Sequence, residues 1–320
     1  MNKKNKTNYL VTVIVRAYNL EKTIRQALDS VLSQKTDYPY EVIIGEDYSV
    51  DGTHVICQEY ADKYDNVTLL ANQTNVGGVA NWIRCVKHST AKYIMICDGD
   101  DYWHNPNKLQ LQVDFMEQHP ECVICHTDYD VLYNKTGKIK SNCHARSKVI
   151  PLEGMVQKEI YEGKVSIANV TSCYRRAMVE QYVPVDEYLQ MKLLGDDYPT
   201  WIFLSAHGEV RYLPISTATY RVGQLSLVYN ANYDKIRKRF EIDMNQDRWL
   251  REKFPCLGTA NNEEYYKTMV YHSLLKAAYA HNDYASAREF RKHDPVPKWY
   301  RTMAGTWLTF QLARVLMYIK

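Results

Sequence analysis

The chain has 320 residues, enough for one sizeable core with an appendage. Its formal net charge of +3 is too mild to argue for nucleic acid, and an apolar share of 46% is ordinary for a globular protein. No stretch reaches the roughly 20 apolar residues that a spanning helix needs. Residues 1–8 are polar and basic, with no apolar segment of signal type behind them, which predicts a cytoplasmic location. The eight cysteines have no framework-like spacing; Cys57, Cys85, Cys97 and Cys122 fall in apolar runs and are expected to be reduced and buried. Tyrosine is abundant, 27 against 6 phenylalanines, which suits sugar-lined clefts or wet interfaces.

In chain order, residues 10–15 form a β-branched run that reads as a buried strand, broken by Ala17-Tyr18-Asn19. Ile24, Ala27, Leu28, Val31 and Leu32 then space an amphipathic helix over 21–34. A second strand at 41–45 leads into Asp47-Tyr48-Ser49-Val50-Asp51-Gly52-Thr53, rich in helix-capping residues, and a helix over 54–64; Asp51 reads as its cap. A third strand at 67–71, a glycine-bearing turn at 75–78, a helix at 79–88 and a fourth strand at 92–97 follow, then a helix from Pro106 to Glu117. Strands apolar throughout and alternating with helices imply a parallel sheet covered on both faces. The turns after strands one, two and four then meet at one sheet edge, bringing Tyr18, Asp47 and Asp98 together. Neither a Gly-x-Gly-x-x-Gly turn nor a Gly-Lys-Ser/Thr loop is present, which argues against a dinucleotide dehydrogenase and a P-loop NTPase.

Beyond residue 120 the pattern is mixed. Residues 121–133 and 138–140 flank Asn134-Lys135-Thr136-Gly137 as a hairpin. Residues 165–174 read as strand or short helix, 198–207 as helix and 209–220 as extended. From Asp234 the chain reads helical, with a hairpin of helices at 263–280 and 284–292 ended by Pro295 and Pro297. The last segment, 298–320, places Leu308, Leu312, Val315, Leu316 and Ile319 on one helical face with only basic charges, fitting either an anionic membrane surface or a closing helix on the core. Cys122, Cys125, His126, Cys143 and His144 can be drawn as a zinc set, but their irregular spacing favours a plain strand.

The chemistry concentrates at Asp98-Gly99-Asp100-Asp101, where a strand ends in three carboxylates. Such crowding is unfavourable unless a cation or strong donors sit among them. Oxygen-only ligands suit Mg²⁺ or Mn²⁺, and such ions usually hold a substrate phosphate as well. The alternative is a solvated acidic turn.

These residues, taken together, resemble family 2 glycosyltransferases of the GT-A fold. Val11 to Asn19 resembles the family's first strand and Tyr-Asn turn. Glu46-Asp47-Tyr48-Ser49-Val50-Asp51-Gly52-Thr53 resembles its Asp-Asp-x-Ser-x-Asp-Gly-Thr, and Asn75-Val76-Gly77 its third-strand turn. Asp98-Gly99-Asp100-Asp101-Tyr102-Trp103 is similar to its metal motif, Asp196-Asp197 to its Glu-Asp pair, and Tyr220, Arg221 and Ser226 to its Tyr-Arg-x-His-x-x-Ser tail, with Gly223 where the family has histidine. The resemblance covers roughly residues 9–226 and implies a GT-A domain there, split into a nucleotide-sugar half at 1–120 and an acceptor half at 121–226, with a helical region at 227–320.

It further implies an inverting, metal-dependent transfer from a UDP-sugar to a hydroxyl of a glycan or lipid-linked glycan, in surface polysaccharide synthesis. Ala17, Tyr18, Glu21, Asp47, Asn75, Gly77, Asp98 and Arg221 would contact the nucleotide; Asp47 would accept from the base, because an acceptor-only carboxylate suits an imide N–H. Asp100, with Asp98, would hold Mn²⁺ or Mg²⁺. Asp197 would act as general base with Asp196 orienting it, or either would be an ordinary helix cap. Arg221 would pair with the diphosphate, or with Asp196 or Asp197 as a structural ion pair. Trp103 would wall the sugar pocket or belong to the core. The rivals are a sugar-nucleotidyltransferase, which lacks support in Arg16-Ala17-Tyr18-Asn19, and a catalytically silent nucleotide-sugar binder, which Gly223 keeps open.

Overall fold

The computed structural model describes residues 8–146, 152–222, 232–258 and 263–293. The chain divides into two compact units, Met1–Gln224 and Leu225–Lys320.

The first unit opens with β1 (Val11–Ala17), α1 (Ile24–Leu32), β2 (Tyr40–Glu46), α2 (Thr53–Lys63), β3 (Val67–Ala71), α3 (Gly78–His88) and β4 (Tyr93–Ile96). β3, β2, β1 and β4 lie side by side, all parallel. Successive residues Val13, Ile14 and Val15 are all fully buried, so helices cover both faces, as the unbroken apolar runs require. Ile24, Ala27, Leu28 and Val31 turn one stripe of α1 into this core.

The sheet then changes character. After β5 (Tyr102–Trp103) and α4 (Lys108–Gln118) come β6 (Cys122–Tyr133), β7 (Lys138–Lys140) and the short helices α5 (Cys143–Arg146) and α6 (Gln157–Tyr161). β8 (Cys173–Arg175), α7 (Arg176–Tyr182), α8 (Val185–Met191), α9 (Asp197–Ser205) and β9 (Glu209–Val222) complete the unit. β8 joins the parallel half antiparallel to β4, and the order continues β8-β6-β9-β5, with β7 paired to β6. The helix expected from Pro106 starts at Lys108, because the Asn105 side chain first accepts the N–H of Asn107 in a turn.

The second unit holds α10 (Tyr233–Lys253), α11 (Glu263–Ala280) and α12 (Tyr284–Phe290) around a small core of Ile236, Leu274, Ala278 and Phe290. Asp283 caps α12 by accepting the N–H of Ser286 at 3.0 Å. No described helix is long and apolar enough to cross a membrane. The tail residues Gly223, Gln224 and Ser226, the prolines Pro295 and Pro297, and the amphipathic segment 298–320 lie outside the described residues.

Candidate active site

The carboxyl ends of the central strands are locked together by backbone hydrogen bonds. Ala17 C=O accepts from Asp47 N–H at 3.0 Å, and Arg16 C=O accepts from Gly99 N–H at 2.9 Å. The second contact needs glycine: a Cβ at Gly99 would fall 2.8 Å from that same carbonyl oxygen and from Ile24 Cδ1. The acidic loop is thereby drawn tight against the end of β1.

Arg16 is the hub. Its Nε donates to Asp98 Oδ1 at 2.5 Å and Nη2 to Asp98 Oδ2 at 2.7 Å, a two-pronged pair. Its Nη1 donates to Asp196 Oδ1. One guanidinium thus ties the β4 loop to the start of α9. Burial works against its charge, but Asp196 and Asp98 outweigh that and hold it firmly protonated.

The two aspartates at the start of α9 differ. Asp196 is buried, and burial pushes its carboxyl up to about 6 despite Arg16. Asp197 is half-exposed, its Oδ1 accepting from Tyr198 N–H at 2.8 Å. Asp196 sits at the cap position without making a side-chain cap bond, so capping does not explain it, whereas Asp197 takes one first-turn N–H of α9.

Both line a cavity of about 410 Å³ together with Arg16, Asp98, Asp101, Asn169, Tyr129 and Tyr220. One wall is the 168–171 turn, which is held from behind. Trp103 Nε1 donates to Val170 C=O at 3.1 Å, and Lys108 Nζ and Gln112 Nε2 donate to Thr171 C=O at 3.0 and 2.9 Å. The turn then presents Asn169 toward Asp98, with Nδ2 at 3.4 Å. Lys108 is wholly buried with no carboxylate paired to it among the described residues, and burial lowers its ammonium to about 7. Trp103 therefore belongs to the core behind the cavity rather than to its wall.

Beyond the ends of β1 and β2, Tyr18 is exposed. Glu21 accepts the N–H of Gly52 at 3.0 Å and steadies the 51–53 turn; Gly52 rather than Asp51 takes the cap position of α2, and Asp51 Oδ1 accepts from Thr53 N–H at 3.0 Å within the turn before it. Asp47 is buried and organises the next loop: its oxygens accept from Asn72 Nδ2, Val76 N–H and Gly77 N–H at 2.8, 2.8 and 2.9 Å. Asn75 Nδ2 donates back to Asp47 C=O at 3.3 Å, and Gly77 takes φ +89°, a conformation that favours glycine. Gly78 and Val79, immediately after, reach the cavity.

Arg221 forms no ion pair with Asp196 or Asp197; Arg16, entering from β1, occupies that place. The Arg221 guanidinium instead donates to Gln26 Oε1 and lies 5.1 Å over the Tyr102 ring. Its backbone N–H donates to Asp101 Oδ1 at 2.8 Å, because β9 pairs with β5 just beyond the acidic loop.

Among the described residues no three or more His, Cys, Asp or Glu side chains close around one point as a metal cage, the drawn zinc set included. The acidic loop offers something different. Asp98 is taken up by Arg16 and Asp101 by the Arg221 N–H, whereas Asp100 has no protein cation in contact with it among the described residues. Burial, then the neighbouring Asp98, push its carboxyl up to about 6 against the weaker pull of Arg16 and Arg221, so a further cation beside it would favour the charged form. One carboxylate in an otherwise oxygen-rich edge fits Mg²⁺ or Mn²⁺ completed by phosphates and water.

Arg16 and Asn169 are the residues sequence reasoning missed. The signal for Arg16 was a lone charge ending an otherwise apolar strand; Asn169 carried none.

The sequence profile described as Glycosyl transferase family 2 matches residues 12–183. Uncharacterized protein Rv1520 of Mycobacterium tuberculosis is 30% identical over 239 residues, 72% of this chain and 64% of that protein. The chain thus spans less than two-thirds of the length of the first curated relatives it matches. The Escherichia coli enzyme WfgD, named UDP-Glc:alpha-D-GlcNAc-diphosphoundecaprenol beta-1,3-glucosyltransferase, is 30% identical over 129 residues, 40% of this chain and 49% of WfgD. Among solved structures, the mannosyltransferase PcManGT of Pyrobaculum calidifontis, in complex with GDP-Man and Mn²⁺, is similar with a TM-score of 0.52, 17% identity, and coverage of 97% of this chain and 87% of that one.

Proposed function

The chain belongs to glycosyl transferase family 2, with the GT-A fold, and from that premise we propose that it moves a sugar from a nucleotide-sugar to a hydroxyl of a glycan or lipid-linked glycan, with inversion. The observation that carries the reading is the split between neighbours: Asp196 is buried on Arg16, while Asp197 faces the same cavity half-exposed.

In the reaction the acceptor oxygen bonds to the anomeric carbon as the bond from that carbon to the diphosphate oxygen breaks. The hydroxyl proton passes to the Asp197 carboxylate. Attack from the face opposite the leaving group inverts the configuration. Arg16 keeps Asp98 and Asp196 fixed while this happens, and Asp196 sets the start of α9 from which Asp197 projects. Asp100, with Asp98 beside it, would hold Mn²⁺ or Mg²⁺, which when bound neutralises charge on the departing diphosphate.

Tyr18 would border the nucleoside. Asp47 spends three of a carboxylate's roughly four lone-pair sites on its loop, leaving one for a base N–H. This favours a uracil imide, and WfgD's name carries UDP-Glc; PcManGT holds GDP-Man, so guanine is the competing base. Arg221, beside Asp101 and Tyr102, would meet the diphosphate on leaving Gln26. WfgD's diphosphoundecaprenol acceptor, and the teichuronic acid biosynthesis named for the relative TuaG of Bacillus subtilis, support a lipid-linked acceptor and a role in polysaccharide synthesis.

The test is a thermal-shift screen of UDP- and GDP-sugars with Mn²⁺, followed by donor hydrolysis in the wild type, Asp100→Ala and Asp197→Ala. Stabilisation by a UDP-sugar, and hydrolysis lost in both variants, is expected. Equal low turnover in all three would indicate a silent binder, and pyrophosphate formed from UTP and a sugar phosphate would indicate a nucleotidyltransferase.

A further inference from the structure

A second cavity, of about 330 Å³, adjoins the first and shares Tyr129 and Ser166 with it. Its floor is one face of the β6–β7 hairpin. Tyr129, Val131 and Tyr133 alternate along β6 and so point to the same side. Lys140 of β7 lies directly opposite Val131 in the antiparallel register and shares that side. The facing wall is the 163–166 segment, with Lys164 at its rim.

The chemistry of this lining differs from that of the first cavity. It contains two tyrosine rings and two lysines, and no carboxylate. Lys164 is already paired with Glu162 at 2.6 Å, but Lys140 is in no ion pair among the described residues. Lys135 and Lys138 extend the same positive charge along the exposed hairpin. Tyrosine rings offer apolar faces for the C–H side of a pyranose, with hydroxyls for its polar edge.

We propose that this second cavity is the acceptor subsite and selects a saccharide bearing an anionic group, its ring laid on Tyr129 and Tyr133 and its charge set against Lys140. The inference rests on the glycosyl-transfer reading and names the acceptor class for it. Ser166 and Tyr129, common to both cavities, place the acceptor's reacting hydroxyl toward Asp197. The anion is either a carboxylate of a uronic acid or a phosphate on the sugar; the two share the chemistry that Lys140 reads.

The experiment measures binding of three probes to the full chain by ligand-observed NMR in the presence of UDP and Mn²⁺: methyl glucuronide, glucose 1-phosphate and neutral methyl glucoside. At least one anionic probe should bind about fivefold tighter than the neutral one, the size expected for a partly solvated ion pair. The stronger of the two identifies the source of the charge. Lys140→Ala should abolish the preference while leaving UDP affinity unchanged, and Tyr133→Ala should weaken all three probes. Lys135→Ala, outside the cavity lining, should retain the wild-type preference. Equal binding of charged and neutral probes, or a preference that survives Lys140→Ala, overturns the proposal. UDP binding in either of those cases leaves the glycosyl-transfer reading standing, whereas failure of UDP and every other nucleotide to bind would sink that reading itself.

Discussion

The two edges of the first unit use opposite chemistry. At the ends of β1, β2 and β4, carboxylates are packed inward and tied down by Arg16 and by backbone N–H groups. At the β6–β7 hairpin, Tyr133 and Lys140 lie exposed, beside a half-buried Tyr129 whose ring meets His144 edge-on. A buried charge must have its partners built in, so the acidic edge is rigid and its geometry is set before any substrate arrives. An exposed lysine on a hairpin is cheap to change and can be retuned without disturbing the core. On the proposed reading, the first edge would make the bond and the second would choose the acceptor.

The sharpest way to break this comparison is to separate Asp197 from Asp196. Asp197→Asn should lower transfer by about a hundredfold to ten-thousandfold, the worth of a general base, with nucleotide affinity and melting temperature kept. Asp196→Asn should lower the melting temperature as well, because Arg16 loses a charge partner. If both variants behave alike in activity and stability, the division of labour between them is wrong.

Next in size is Arg16→Met. It leaves Asp98 and Asp196 as uncompensated, largely buried carboxylates, which costs about 3–5 kcal/mol for a broken buried pair. Urea unfolding measures this directly. A loss under about 1 kcal/mol would mean the acidic edge is not held by this residue.

A third prediction probes the floor between the two edges. His126 on β6 is buried, packed near Tyr212 and His144, and neither ring nitrogen has a hydrogen-bond partner among the described residues. Burial, then His144, lowers its pKa from 6.5 to about 3. The unfolded chain takes up the proton below its ordinary value, while the native chain does not until far lower. This contribution to stability is therefore whole above pH 6.5 and is lost as pH falls toward 3. It should cost about 2 kcal/mol by pH 5 relative to pH 7. His126→Phe should flatten that fall in urea titrations; curves that stay parallel to wild type would contradict it.

The smallest effect is expected at the turn joining the edges. Trp103→Phe removes one donor from Val170 C=O but keeps the ring in the core, and should cost about 1 kcal/mol. If the turn positions Asn169, KM for the donor should rise more than kcat falls.

The alternating strands and helices of the parallel half were legible because each is long enough for its period to show, as in α1 with its buried stripe of Ile24, Ala27, Leu28 and Val31. The hairpin was legible from its turn, Asn134 to Gly137, and the acids from their crowding at a strand end. Helices such as α7 and α8 escaped because seven residues are too few for a periodic signal. Arg16 escaped for a different reason. Its partners Asp98 and Asp196 stand 82 and 180 residues away, so its role exists only once the sheet has formed. Trp103 was equally ambiguous, since one aromatic after a motif reads the same whether it walls a pocket or backs it.

The most direct measurement is a crystal structure of the chain with UDP and Mn²⁺. The account requires the diphosphate in the cavity bounded by Arg16, Asp98 and Asp197, the ion on Asp100, and the Asp197 carboxylate still free toward the second cavity. A diphosphate bound elsewhere, or Asp197 turned away from it, would contradict the account.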